Sequence, residues 1–437
     1  MNAAVVGGGL AGCEAAWALA ERGVKVSLFE MRPERTTPAH QTANLAELVC
    51  TNSFKSLETV NAHGLLKAEL RILGSLLMEL AQETSVPGGA ALAVDRKLFG
   101  EAVTSKIQSH PNIEVVRGEV TELPSPGIIA TGPLTSDSLA ETIQARLGMD
   151  RLAFFDAIAP IVSGDSVDGK VLYRGSRYGK GSGDDYWNAP FSKEEYYAFV
   201  DELANADQFE GHEFDKTPYF EGCLPIEELA RRGKDTLRFG PMKPVGLPHP
   251  ETGEEAFAVL QLRAEDRAGQ MWNLVGFQTR MTIPSQKRVL ASIPGLGAAE
   301  FLRWGSIHRN TYLNSPAALS PFLSAKDDPN LFWAGQIVGV EGYTESLACG
   351  LLCGINLARR LHGETPMMPP VETMLGALLN YVVTSDAKHF QPMNANFGLV
   401  PPLGEKVRDK RKKKEMLAER ALSSMKAFAE SVAQPAT

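Results

Sequence analysis

AAVVGGGLAGCEAAWALAERGVKVSLFE, residues 3–30, begins with four apolar residues that run into glycine. Such a run reads as a buried parallel strand over 3–6. Residues 10–22 follow as an alanine-rich helix, Gly23 stops it, and 24–29 form a second strand, which together make a βαβ unit. Gly7, Gly9 and Gly12 set a G-x-G-x-x-G spacing across the turn, with Gly8, Leu10 and Ala11 between them. Glycines there permit a tight turn and let backbone approach a pyrophosphate at a helix N-terminus, whose N–H groups and dipole favour anions. Glu30 ends the second strand, where a carboxylate accepts the ribose hydroxyls of an adenosine. The unit predicts a dinucleotide site. The spacing alone does not separate NAD from FAD.

Two later segments tilt the choice. GIIATG (127–132) and LFWAGQIVGVEGYTES (331–346) resemble the second and third elements of the FAD-binding glutathione-reductase superfamily, whose last strand–glycine–helix element closes over the flavin. The resemblance implies FAD and adds Gly132, Gly335 and Gln336 to the cofactor-binding set. A S-adenosylmethionine enzyme also uses a glycine-rich turn, but the two later elements argue against it.

Between about 160 and 304 the strand–helix alternation is lost, and the chain turns Gly-rich and aromatic (SGDSVDGKVLYRGSRYGKGSGDDYW). Helical pieces at 192–205 and 225–233 and a strand at 256–262 suggest an α+β unit. The predicted class is α/β: a Rossmann-like FAD-binding domain (1–160 and 305–437) interrupted by a smaller insertion (161–304). Leucines at helical spacing predict one helix over 64–83, and a polar, Pro-containing stretch at 32–56 reads as a functional loop.

With 437 residues, 44% hydrophobic and 22% charged, the chain is globular and too long for one ordinary domain. A net charge of −8 requires any nucleic-acid contact to use a local basic patch. No apolar run is long enough to span a membrane, and MNAAVVGGG lacks the features of a signal peptide. Five cysteines do not make a disulfide framework, so a reducing cytoplasm is expected. No metal site and no stable protein partner are expected.

The cysteines divide by context. Cys13 sits among alanines and reads as packing. Cys349 and Cys353 fall on one face of an apolar helix. They read as core, with a flavin-dependent dithiol oxidoreductase as the competing possibility, although a disulfide four residues apart would strain a helix. Cys50, in AELVCTNSFKS (46–56), has polar neighbours and a lysine. Cys223 precedes Pro225 and a helix start, and thiolates form more readily in either setting. Both are candidate reactive thiols.

GGGLAGCEAAWALAERG, ELVCTNSFKS, FEGCLPIEELARRG, LRFGPMKPVGL, QMWNLVGFQTRM and WAGQIVGVEGYTESLACGLL together closely resemble the folate- and FAD-dependent tRNA (uracil-5-)-methyltransferases. The likeness runs from residue 3 to about 405. It implies 5-methylation of the T-loop uridine of tRNA at position 54, with methylenetetrahydrofolate as carbon donor. It also implies reduced FAD as carrier and reductant, and NADH or NADPH as electron source. Matching motifs imply Cys223 as the nucleophile on uracil carbon 6 and Cys50 as the base at carbon 5, roles that could be exchanged. They place Tyr343 near the flavin and folate rings. A tRNA-binding flavoprotein without catalysis is a third possibility. For tRNA contact, KVRDKRKKK (406–414) carries seven basic residues in nine, and Arg231, Arg232, Lys234 and Arg238 lie near Cys223. Tyr178, Tyr186 and Trp187 are candidates for stacking on bases.

Overall fold

The computed structural model describes residues 1–37, 39–147, 152–209, 224–404 and 406–433. Its first sheet is parallel, in the order Leu331–Trp333, Gly127–Ile129, Asn2–Val6, Lys25–Glu30, Ile113–Arg117. The order places the N-terminal strand centrally, with the helix Leu10–Ala20 leading from it to its neighbour. That helix is buried on nearly every side, as its alanines predict. The long helix Tyr343–Leu361 packs along it, and glycines set the closeness: a Cβ at Gly354 would stand 2.6 Å from the Ala15 carbonyl oxygen, and one at Gly350 would strike the Ala11 carbonyl. Side chains would force these helices apart.

The stretch predicted as one helix over 64–83 is two, Ala62–Ile72 and Leu76–Glu83. Gly74 adopts φ +77°, and Ser75 caps the second helix by accepting from the Met78 N–H. Leucine spacing survives such a break, which is why periodicity alone missed it. The buried carboxyl group of Glu14 accepts from the N–H groups of Leu76 and Leu77, both at 3.0 Å. Glu69 does the same for Met374 and Leu375 at the start of the helix Met374–Thr384, at 2.7 and 2.9 Å. Each side chain supplies acceptors for N–H groups that a helix leaves unpaired.

A second sheet of six antiparallel strands runs in the order Tyr173–Arg174, Tyr186–Phe191, Ala258–Ala264, Met271–Leu274, Ile161–Ser163, Phe301–Arg303. It has its own apolar cluster, built from residues between Val162 and Leu296, with the helices Lys193–Ala204 and Ile283–Ala291 against it. The sequence placed one strand here. The others are mostly two to four residues long, too short to show alternation. The strands Leu152–Ile158 and Ser306–Tyr312 pair with each other where the chain leaves and rejoins the first unit. The helix Lys410–Ala433 lies against Ala62–Ile72. No described helix is long and apolar enough to cross a membrane.

Candidate active site

The glycine turn has the tight geometry its spacing predicts. Gly7 adopts φ +107°, where a Cβ would also press on Ala130 and Thr131. A Cβ on Gly12 would collide with the Gly7 carbonyl, so the helix can start that close only with glycine there. Gly9, by contrast, faces open space. It precedes the helix without any side-chain cap, and the first turn carries no acidic residue. The N-terminal N–H groups are therefore available to an anion.

A cavity with about 1040 Å3 of non-atom space, part of it open to solvent, begins at this turn. Gly7, Gly8, Gly9, Leu10, Ala11, Glu30, Gly132, Gly335, Gln336 and Tyr343 all line it. Gly12 does not; it acts on the turn from beneath. The Gly8 N–H donates to Glu30 Oε2 at 3.0 Å. Arg32, which sequence reading did not single out, fills the rest of that carboxylate with its backbone N–H, Nε and Nη2 at 3.0, 2.9 and 3.1 Å. Arg32 is itself buried and also pairs with Glu47 at 3.0 Å. Burial works against the Glu30 charge, yet the bonds and field of Arg32 outweigh it and hold the carboxyl below its usual value. Ribose hydroxyls reaching Glu30 would share or replace the Arg32 bonds. With its uncapped helix end, open Gly9 and carboxylate one strand away, the cavity fits FAD.

The far end of the cavity reaches Val49 and Tyr343, next to Cys50. Cys50 is half-buried. Its backbone N–H donates to the Tyr343 hydroxyl at 2.9 Å, and that of Thr51 donates to the same oxygen at 3.1 Å. Burial first, then the nearby Cys50 thiol, pushes the Tyr343 phenol well above its ordinary pKa, so it stays neutral. Two arginines from distant segments hold the loop's carbonyls. Arg96 donates to Leu48 and Cys50 and pairs with Glu265 at 2.8 Å, and Arg303 donates to Val49 at 3.2 Å. The polar neighbours in the sequence play another part: Thr51 and Asn52 are bonded to Arg263, and Lys55 is exposed. Cationic surroundings are present, but they come from Arg96 and Arg303.

Cys223 lies outside the described residues. Cys13 is fully buried and donates to the Gly8 carbonyl at 3.3 Å; burial drives its thiol pKa far up. Cys349 and Cys353 are unbridged and fully buried, neither lines the cavity, and the Cys353 thiol donates to the Trp333 carbonyl at 3.2 Å. That placement does not favour the dithiol oxidoreductase. Among the described residues no group of three or more His, Cys, Asp or Glu is placed to hold a metal.

Of the basic residues considered for RNA, those of 406–414 are all exposed, and Asp409 accepts from the N–H groups of Arg411 and Lys412. Arg231, Lys234 and Arg238 are paired with Glu228, Asp201 and Asp235. Tyr186 donates to the Gly88 carbonyl, and Trp187 stacks beneath Arg174; only Tyr178 of the three aromatics is largely exposed.

Fold and cavity together define a dinucleotide-binding protein of the Rossmann class with an inserted antiparallel sheet. A solved structure of Aquifex aeolicus GidA has the same fold, with a TM-score of 0.71 and 16% identity, over 99% of this chain and 73% of that one. The family model described as Glucose inhibited division protein A matches residues 2–365. The methylenetetrahydrofolate–tRNA-(uracil-5-)-methyltransferase TrmFO of Geobacter sulfurreducens is 57% identical over 96% of this chain and 97% of its own length. Its Aquifex aeolicus counterpart is 56% identical over 96% and 95%. The chain belongs to the methylenetetrahydrofolate–tRNA-(uracil-5-)-methyltransferase family, within the wider GidA group.

Proposed function

We propose that this protein transfers the carbon unit of methylenetetrahydrofolate to carbon 5 of the T-loop uridine, position 54, of tRNA. The observation that carries the reading is the cavity that runs from the glycine turn to Tyr343, whose hydroxyl is bonded to Cys50. Relatives more than half identical over nearly their whole length carry the name of this activity. When bound, FAD supplies electrons and passage for the carbon unit, and NADH or NADPH replenishes the electrons.

The residues of the chain supply three things. The glycine turn and the helix end behind Gly9 hold the pyrophosphate. Cys223 adds as thiolate to uracil carbon 6, forming a C–S bond that makes carbon 5 nucleophilic, a task suited to a soft sulfur. Once the new carbon is on carbon 5, Cys50 takes the proton from that position, and the C–S bond breaks to release the Cys223 thiolate. This leaves a methylene on carbon 5, which takes two electrons and a proton, drawn from the reduced cofactor, to become the methyl group. Tyr343 holds the Cys50 backbone at the edge of the cavity, with its ring available to a pterin face. The exposed basic run at 406–414 binds tRNA phosphates. The division into 1–160 with 305–437, and 161–304, belongs to this reading; the separate apolar clusters support it.

The test is incubation of the flavin-loaded protein with unmodified tRNA, methylenetetrahydrofolate and NADPH. Formation of 5-methyluridine is expected. Its absence, with both tRNA and flavin bound, would overturn the reading.

A further inference from the structure

Arg263 stands near the end of the inserted strand Ala258–Ala264 and is 6% exposed. Its Nε donates to Asn52 Oδ1 at 3.0 Å and its Nη2 to Thr51 Oγ1 at 2.5 Å. Asn52 is fully buried, and its Nδ2 donates to the carbonyls of Val94 and Ala264 at 2.9 and 2.8 Å. The two side chains that follow Cys50 are thus bound into the inserted sheet. From the other side, the Tyr343 hydroxyl takes the N–H groups of Cys50 and Thr51.

A planar guanidinium can meet two oxygens side by side, whereas an ammonium is a single point. Among the described residues no carboxylate is ion-paired with Arg263. A buried cation with neutral acceptors is a poor source of stability, because its desolvation is not offset by an opposite charge. Its value lies in geometry. Arg263 also joins two units: it sits in the insertion, and its targets lie in the loop at the cavity of the first unit.

We propose that Arg263 is a positioning residue for Cys50, fixing the thiol relative to the cavity by clamping Thr51 and Asn52 to the inserted sheet. This rests on the reading of Cys50 as the base at uracil carbon 5.

The test uses the flavin-loaded full chain carrying Arg263→Met or Arg263→Lys. Three quantities are read: kcat and KM for 5-methyluridine formation, flavin content, and the rate at which iodoacetamide alkylates Cys50, followed by peptide mass spectrometry. In Arg263→Met, kcat falls about tenfold or more while KM for tRNA stays within about twofold. Cys50 alkylation changes by about fivefold or more, and Cys13 stays unreactive. Arg263→Lys, which keeps the charge but lacks the planar fork, falls between. Unchanged Cys50 alkylation in both variants overturns the proposal, as does a kcat loss matched by flavin loss. If Arg263→Met does not fold, Arg263→Lys decides by the same alkylation criterion. A Cys50→Ala enzyme that still methylates at the wild-type rate removes the role given to Cys50, while the alkylation result continues to judge the clamp.

Discussion

The Tyr343 hydroxyl accepts from the backbone N–H of Cys50 at 2.9 Å, across a separation of 293 residues. The start of the long helix thereby fixes the loop that bears the thiol. Tyr343→Phe leaves the N–H groups of Cys50 and Thr51 without this acceptor, which costs about 2 kcal/mol where no water replaces it. The ring is kept, so flavin content should match wild type while kcat for 5-methyluridine falls about tenfold or more. Equal kcat in both proteins would show that the hydroxyl does not position Cys50.

Close contact between the first and long helices makes a second point accessible. Gly350→Val places side-chain atoms against the Ala11 carbonyl, and Ala11 lines the cavity. Overpacking of this kind costs about 3 kcal/mol. The thermal midpoint should drop and the purified protein should lose most of its flavin absorbance. Full flavin retention would mean that the helices can separate without disturbing the turn.

Glu69 carries a pH dependence of stability. Burial, opposed by bonds from Met374 and Leu375, raises its carboxyl to about 8. Between the ordinary carboxylate value near 4.5 and about 8, the folded protein holds a proton that the unfolded chain releases. Stability from this group is therefore present at low pH and lost as pH rises through that window. Glu69→Gln cannot ionise. The denaturation midpoint of wild type, compared with that of Glu69→Gln, should fall steadily from pH 5 to 8. A constant difference across that range would contradict the assignment.

The exposed run beginning at Lys406 should act as counterions to phosphate. Replacing Lys412, Lys413 and Lys414 by alanine should weaken tRNA binding and reduce the slope of log K against log salt by about 2. Flavin reduction by NADPH without tRNA should be unaffected. An unchanged salt slope would move the RNA contact elsewhere.

The parts of the fold written in local pattern were legible in the sequence. Gly7, Gly9 and Gly12 announce the turn by their spacing, Gly7 and Gly12 because the backbone there tolerates nothing larger, and alternating apolar and alanine-rich segments announce the surrounding strands and helix. The cavity lining from Gly132, Gly335 and Gln336 followed from resemblance to known flavin elements. What lay hidden depends on long-range pairing. Arg96, Arg263 and Arg303 converge on the Cys50 loop from segments that carry no motif of their own, and Arg32 meets Glu30 only once the strand end turns. The polar residues after Cys50 were visible, but their purpose was not: they anchor the loop to Arg263 and the inserted strand. The inserted sheet escaped because its short strands derive their stability from neighbours distant in the chain.

Covalent attack by Cys223 on uracil is the claim on which the account most depends. The direct measurement uses tRNA bearing 5-fluorouridine at position 54, incubated with flavin-loaded protein, methylenetetrahydrofolate and NADPH, then digested for mass spectrometry. Fluorine at carbon 5 blocks proton loss, so a covalent protein–RNA species should accumulate through the peptide that contains Cys223, and Cys223→Ser should abolish it. A wild-type protein that binds this tRNA and flavin yet forms no bond, or forms it through a different residue, contradicts the account.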